Sequence, residues 1–281
     1  MILVTGASGN VGRHVVSGLV AEGAHVRALT RDPASARWPE GIEVARGDLS
    51  VASTLDAVLD GVDVVFLLWH QASAEHPDAA IDVLARHARR VVYVSSLTVD
   101  DDLEEQAHPM TVIHADIERS IRGSGLAWTF LRAGRFATNS LAWAPEIRAG
   151  DVVRLPNAAA VRSPIDPRDV GAVAVRTLLD DGHAGVTHIL SGPERLTEGT
   201  MVHVIGEVIG RTIHVEEVPA GTARQELLDG GASPELADAA LTYWSKLIAE
   251  PEPVTRTVRE ITGSGARKFR HWAMDHADDF G

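Results

Sequence analysis

Three glycines at intervals of three, Gly6, Gly9 and Gly12, punctuate the run Thr5-Gly6-Ala7-Ser8-Gly9-Asn10-Val11-Gly12. They follow an apolar run at residues 2–5 and open a stretch with helical spacing at residues 10–22. Backbone of this kind suits a diphosphate. Gly6 supplies the tight turn, Gly9 lets the chain approach a pyrophosphate, and Gly12 lets the helix sit close to the sheet. The segment from Ser8 through Asn10 and Val11 to Gly12 then offers unpaired amides at the positive end of a helix dipole. A glycine turn without a ligand is the competing reading.

The next charged positions select among dinucleotides. A carboxylate at the end of the second strand takes ribose hydroxyls, whereas an arginine pairs with a 2′-phosphate. In Ala28-Leu29-Thr30-Arg31-Asp32 the first charged residue is Arg31, whose guanidinium matches phosphate bidentately. NADP(H) is therefore expected; the opposing arrangement has Arg31 in solvent and Asp32 on the ribose. In Gly47-Asp48-Leu49, Asp48 either hydrogen-bonds an adenine or caps the following helix.

Other chemistries lack their residues. There is no cysteine, which excludes disulfides, thiolate metal sites and cysteine nucleophiles. There is no Gly-x-Ser-x-Gly elbow and no His-Glu-x-x-His, and His271 and His276 are wrongly spaced for one helix face. No metal is expected. The acidic run Asp100-Asp101-Asp102-Leu103-Glu104-Glu105 lacks the spacing of a calcium loop and reads as a solvated surface loop.

The elements that must position these residues alternate. Strands are expected at residues 25–30, 42–45, 62–68, 91–95 and 126–132, several of them continuous apolar runs, as in strands covered on both faces. Helices are expected between them at 51–59, 78–88 and 108–122. This rhythm predicts an α/β fold with a doubly wound parallel Rossmann sheet. After it the pattern changes. Residues 169–179 read as a helix and 186–190 as a strand, and helices follow at 198–209, 220–228, 234–249 and 267–277. Ser233-Pro234-Glu235 supplies a helix start. The expected division is a nucleotide-binding domain at 1–135, with 166–190 returning to it. Residues 136–165 and 191–281 form a smaller, mainly helical C-terminal substrate lobe, with the substrate in the cleft between.

The chain has 281 residues, enough for one large domain or a domain with an annex. Its formal net charge of −13 disfavours nucleic-acid binding. It opens directly on Met1-Ile2-Leu3-Val4-Thr5, and its longest apolar run, residues 64–69, is too short for a bilayer. A cytoplasmic protein without membrane partners, monomeric or homodimeric, is expected.

Residues 5–12, Arg31, Gly47-Asp48, 92–96, 125–139, Ile165-Asp166-Pro167-Arg168-Asp169-Val170 and Ser191-Gly192-Pro193-Glu194 together resemble the NmrA-like branch of the atypical short-chain dehydrogenase/reductases. The resemblance runs over nearly the whole chain and implies NADP(H) binding. It places Leu67-Leu68-Trp69 and Ser95-Ser96 along the cofactor. Ala133-Gly134 falls at an Arg-Pro-Gly turn that backs the nicotinamide, with Ala133 in place of the proline. Asn139 borders the substrate pocket, and the Asp166–Asp169 turn is structural. Family members include quinone and aromatic-ketone reductases, and regulatory proteins that bind the dinucleotide without turnover.

One departure bears on mechanism. Ordinary short-chain reductases use a tyrosine as general acid, with a lysine four residues later. Here Tyr93 and Tyr243 are followed at that distance by Leu97 and Leu247, and lysine occurs only at 246 and 268. Alignment on the family's Lys-x-x-x-Glu helix puts His114 at the lysine position and Met110, which has no proton to give, at the tyrosine position. His114 either donates a proton or hydrogen-bonds the nicotinamide ribose. Trp69, Phe136 and Trp143 are candidate aromatic walls for the substrate, with His70 beside them. The expectation is an NADPH-dependent oxidoreductase acting on a conjugated or aromatic carbonyl such as a quinone, with a non-catalytic redox sensor as the alternative.

Overall fold

The computed structural model describes residues 1–34, 37–69, 77–103, 106 and 108–281. Its strands are β1 (Ile2–Val4), β2 (Val26–Thr30), β3 (Glu43–Arg46), β4 (Val64–Leu67), β5 (Arg90–Ser96), β6 (Ala127–Ala133), β7 (Val152–Leu155), β8 (Val161–Arg162), β9 (Val186–Leu190), β10 (Leu196–Thr197) and β11 (His214–Glu217). Seven of them form one all-parallel sheet in the order β3-β2-β1-β4-β5-β6-β9. This is the doubly wound arrangement expected from the alternating sequence.

The period of two along each strand divides the core. Val4, Phe66, Val92, Val94 and Leu131 face α1 (Gly12–Ala21), through Val15 and Leu19, and α5 (Pro167–Leu179), through Val170 and Val173. Leu3, Val65, Leu67, Val91 and Tyr93 face the opposite side, against Ile81 and Leu84 of α2 (Pro77–His87) and Ile117 and Ile121 of α3 (Pro109–Gly123). With helices on both faces, every strand residue near the centre is buried, which explains the continuous apolar runs.

A third apolar cluster gathers Trp143, Ile147, Val153, Met201, Ile205, Trp272 and Phe280. It packs around α4 (Ala144–Ala149), α6 (Glu198–Val208) and a parallel β7–β11 pair, with an antiparallel β8–β10 pair beside it. The remaining helices are α7 (Ala220–Asp229), α8 (Pro234–Ala249), α9 (Thr257–Thr262), α10 (Phe269–Asp275) and α11 (Ala277–Phe280). Ser233 caps α8 by accepting from the Leu236 amide, and Asp166 caps α5 by accepting from the Arg168 amide. No helix among the described residues is long and apolar enough to cross a membrane.

Two expected helices differ. Residues 51–59 form only a 3₁₀ turn at Ala52–Thr54. The Thr54 hydroxyl there bonds the Asp48 amide and the Val51 carbonyl, and the Asp48 carboxylate bonds Ser50. Such local side-chain bonds compete with the helical ladder. Residues 267–277 give α10 and α11 separated at His276, whose Nδ1 is 2.7 Å from the Asp279 carboxylate.

Candidate active site

Strand order reverses between β2 and β4 on either side of β1, which opens a crevice at the strands' carboxyl ends. The glycine turn stands there. Gly6 has φ +58°, a conformation that disfavours any side chain. The Gly9 amide donates to the Gly6 carbonyl at 2.9 Å. A Cβ on Gly12 would lie 2.1 Å from that same oxygen, so only glycine lets α1 start so close. No side chain caps α1 and its first turn holds no carboxylate. The amides of Ser8, Asn10, Val11 and Gly12 have no hydrogen-bond partner among the described residues. Thr5 ties the turn to β4: its hydroxyl accepts from the Leu68 amide at 2.7 Å and donates to the Leu68 carbonyl at 3.1 Å.

Arg31 is exposed at the end of β2, without a hydrogen bond or ion pair to the described residues. The Asp32 carboxylate accepts from the Ala34 amide at 3.0 Å. Asp48 accepts from the Ser50 amide and hydroxyl at 2.9 and 2.8 Å; these bonds, with Arg31 nearby, hold its carboxyl below the usual range. Leu49 packs half-buried against the core on the α2 side.

Beside the turn, a cavity of about 1000 Å³ opens over the ends of β4, β5 and β6. It brings together ten of the residues picked out in the sequence: Leu68, Trp69, Ser95, Ser96, His114, Ala133, Gly134, Phe136, Asn139 and Trp143. Gly6, Ser8, Gly9, Asn10, Val11, Gly12, Arg31, Asp48 and Leu49 do not line it. Neither does Leu67, whose side chain is fully buried in the α2–α3 core. His70 lies outside the described residues. Met110 also lines the cavity.

Other lining groups were not apparent from the sequence. One face of α8 roofs the cavity with Leu236, Ala240, Tyr243 and Trp244, an i, i+4, i+7, i+8 stripe. The far wall is a charge-balanced network. Arg162 donates to Glu198 and to Glu252, both at 3.0 Å, and Arg135 lies 3.2 Å from Glu198. The Tyr243 hydroxyl donates to Glu252 at 3.3 Å, its ring 5.2 Å from the Arg162 guanidinium. Helical spacing marks the α8 stripe in the sequence, but nothing there says what it covers.

His114 reaches the cavity from α3, and its Nδ1 lies 2.7 Å from the Tyr93 hydroxyl on β5. Burial pushes the imidazole below its ordinary value, opposed by the Glu118 carboxylate; burial also pushes the Tyr93 phenol up. Glu118 is fully buried and accepts from Ser95 Oγ at 2.6 Å and from Arg132 at 2.9 and 2.7 Å. Arg132 also forks onto Asp101 at 2.8 and 2.7 Å. Asp100, Asp101, Asp102 and Leu103 are exposed, as expected of a surface loop, and Asp101 ties that loop to Arg132; residues 104 and 105 lie outside the described residues. No cluster suited to a metal occurs among the described residues.

Sheet order, glycine turn and adjoining cavity define an α/β protein of the Rossmann type. The chain belongs to the NmrA-like family, whose model matches residues 1–268. It is 37% identical to a (4-alkanoyl-5-oxo-2,5-dihydrofuran-3-yl)methyl phosphate reductase of Streptomyces griseus subsp. griseus, over 100% of this chain and 99% of that one. It is 32% identical to an NAD(P)H azoreductase of Xenophilus azovorans, again over 100% and 99%. Its fold matches an NADPH-dependent quinone oxidoreductase of Escherichia coli, solved with NADPH, at a TM-score of 0.82 and 22% identity over 98% and 99% of the two chains.

Proposed function

We propose that this protein is an NADP(H)-dependent reductase of conjugated or aromatic small molecules, with quinone-type carbonyls as the favoured acceptors. The observation that carries this reading is the aromatic-walled cavity beside a glycine turn whose Ser8, Asn10, Val11 and Gly12 amides have no partner among the described residues. Reductase relatives that span the whole chain support it. The residues present fit a dinucleotide: the Ser8–Gly12 amides hold the diphosphate and Arg31 holds the 2′-phosphate. Asp48 and Leu49 border the adenosine half, while Leu68, Ser95, Ser96, Ala133 and Gly134 border the nicotinamide half; Leu67, sealed in the core behind the sheet, does not. When bound, the reduced dinucleotide supplies the hydride.

Residues 1–135 with 166–190 form the nucleotide-binding unit in this reading, and 136–165 with 191–281 the substrate lobe. Trp69, Phe136 and Trp143 pack the acceptor's flat faces, Asn139 sits at the cavity rim, and His114 faces the reacting end. Met110 cannot protonate an alkoxide, which disfavours simple ketones. An acceptor that becomes aromatic on reduction needs far less help. The same missing donor supports a second reading, a dinucleotide-binding sensor without turnover. Incubation with NADPH and 2-methyl-1,4-naphthoquinone or methyl red, following NADPH absorbance, separates the two. Acceptor-dependent loss is expected. Tight binding without consumption across such acceptors favours the sensor, and absence of binding overturns both.

A further inference from the structure

The Tyr93 hydroxyl has one hydrogen-bond partner among the described residues, Nδ1 of His114 at 2.7 Å. Tyr93 is fully buried, its ring packed edge-on against Phe130 at 6.2 Å, so water cannot serve the hydroxyl. Two arrangements of the proton satisfy that distance. With Nδ1–H donating, the phenolic hydrogen is a buried donor left without an acceptor, which is unfavourable. With the hydroxyl donating, its hydrogen and the Nδ1 lone pair are both satisfied. A neutral imidazole whose Nδ1 accepts carries its own hydrogen on Nε2.

We propose that Tyr93 is a positioning residue that fixes His114 as the neutral Nε2–H tautomer, so that the ring offers an N–H donor to the acceptor oxygen on which negative charge grows during reduction. The assignment of that oxygen rests on the reductase reading above. Two titratable groups act on the ring directly. Tyr93 approaches from β5, and Glu118 lies one turn along α3, occupied by Ser95 and Arg132. His108 at the head of α3 lines the same cavity. Burial opposes protonation of His114, so it is neutral at neutral pH. A neutral imidazole keeps its Nε2 proton. The ring therefore stabilises developing charge without giving up a proton. The acceptor gains the hydride with both its electrons, and its oxygen then takes a proton from water, releasing hydroxide. Acceptors whose reduced anion is weakly basic, hydroquinones and enolates rather than simple alkoxides, suit a site of this kind.

The test uses the full chain labelled with ¹⁵N-histidine and free of cofactor, with the His114 signal identified by its loss in His114→Gln. The parent is expected to show a protonated Nε2 and a hydrogen-bonded Nδ1 lone pair. Tyr93→Phe, which removes only the hydroxyl, is expected to disturb that pattern. With NADPH and 2-methyl-1,4-naphthoquinone it lowers kcat about tenfold, the scale of losing an orienting partner, while the NADPH Kd changes less than about twofold. His114→Gln, which retains an N–H, keeps more activity than His114→Leu; this comparison stands even if Tyr93→Phe does not fold. Nδ1–H in the parent, an unchanged kcat in Tyr93→Phe, or equal activity of Gln and Leu at 114 overturns the proposal. So does a loss of NADPH affinity as large as the loss of kcat, which puts the ring on the ribose. A parent with the expected tautomer but no NADPH consumption overturns the reductase reading and, with it, the role given to the N–H.

Discussion

Replacing Gly12 by alanine puts a methyl carbon 2.1 Å from the Gly6 carbonyl oxygen and 2.8 Å from the Ala7 Cα, both backbone atoms. Carbon and oxygen ordinarily meet at about 3.3 Å, so the start of α1 must move by about 1 Å. Overpacking of this severity costs about 1–3 kcal/mol of stability. Gly9→Ala differs. Its methyl lies 3.2 Å from the Gly6 oxygen with no other heavy atom of the described residues, its chain neighbours aside, within 4 Å, and Gly9 does not have a positive φ. The fold should lose less than about 1 kcal/mol, since alanine also restricts the unfolded chain. The methyl nevertheless projects into the open space where a diphosphate would reach the amides. Losing one charge-assisted hydrogen bond there, about 1.5–3 kcal/mol, weakens NADPH about 10- to 150-fold. Urea unfolding measures the first quantity for each variant and calorimetric titration with NADPH the second. Gly9→Ala binding NADPH with the parent's affinity refutes a diphosphate at this turn. Gly12→Ala unfolding at the parent's urea midpoint refutes the packing argument.

Two further outcomes follow from charges. Arg31→Ala should weaken NADPH by roughly 10- to 100-fold, as expected when a charge-assisted pair with the 2′-phosphate is lost, while leaving NADH nearly unchanged; equal effects on both dinucleotides in paired titrations would remove Arg31 from the site. Asp169 is buried beside Asp166, and its carboxylate accepts from the Arg267 amide at 2.7 Å; burial dominates and raises its pKa to about 6. An acid raised on folding contributes stability that is full below its unfolded value, about 3.9, and is lost as pH climbs through about 6. Asp169→Asn keeps the acceptor and removes this loss. It should therefore unfold at higher urea than the parent at pH about 7.5, by up to about 3 kcal/mol, with the advantage gone near pH 4. A constant difference across that range contradicts the assignment.

The parallel sheet was legible because two faces demand apolar residues at every position, and the glycine turn because Gly6 and Gly12 answer to geometry within a few residues. The cavity walls at Trp69, Ser95, Gly134 and Phe136 followed from the family pattern once the strands were placed. What escaped lies across elements rather than along them. Testing Tyr93 for a lysine four residues on looks down the strand, whereas its hydroxyl points across to α3. The bonds joining Arg135, Arg162, Glu198 and Glu252 depend on how distant segments fold back together, and no spacing encodes that. Residues 51–59 misled because their apolar periodicity carries no record of the Thr54 and Asp48 bonds that end the helix early.

The cavity ceiling has a consequence for how this protein changes. Only Ala237 and Leu247 of α8 are buried, and the Leu236, Ala240, Tyr243 and Trp244 stripe stays half-covered over the opening. Enlarging or trimming those four side chains alters the shape of the space beneath at little expense to the parallel sheet, whose own core lies elsewhere. The panel above the opening is thus separable from the frame that holds it, and relatives can diverge in what they admit while inheriting one folding solution.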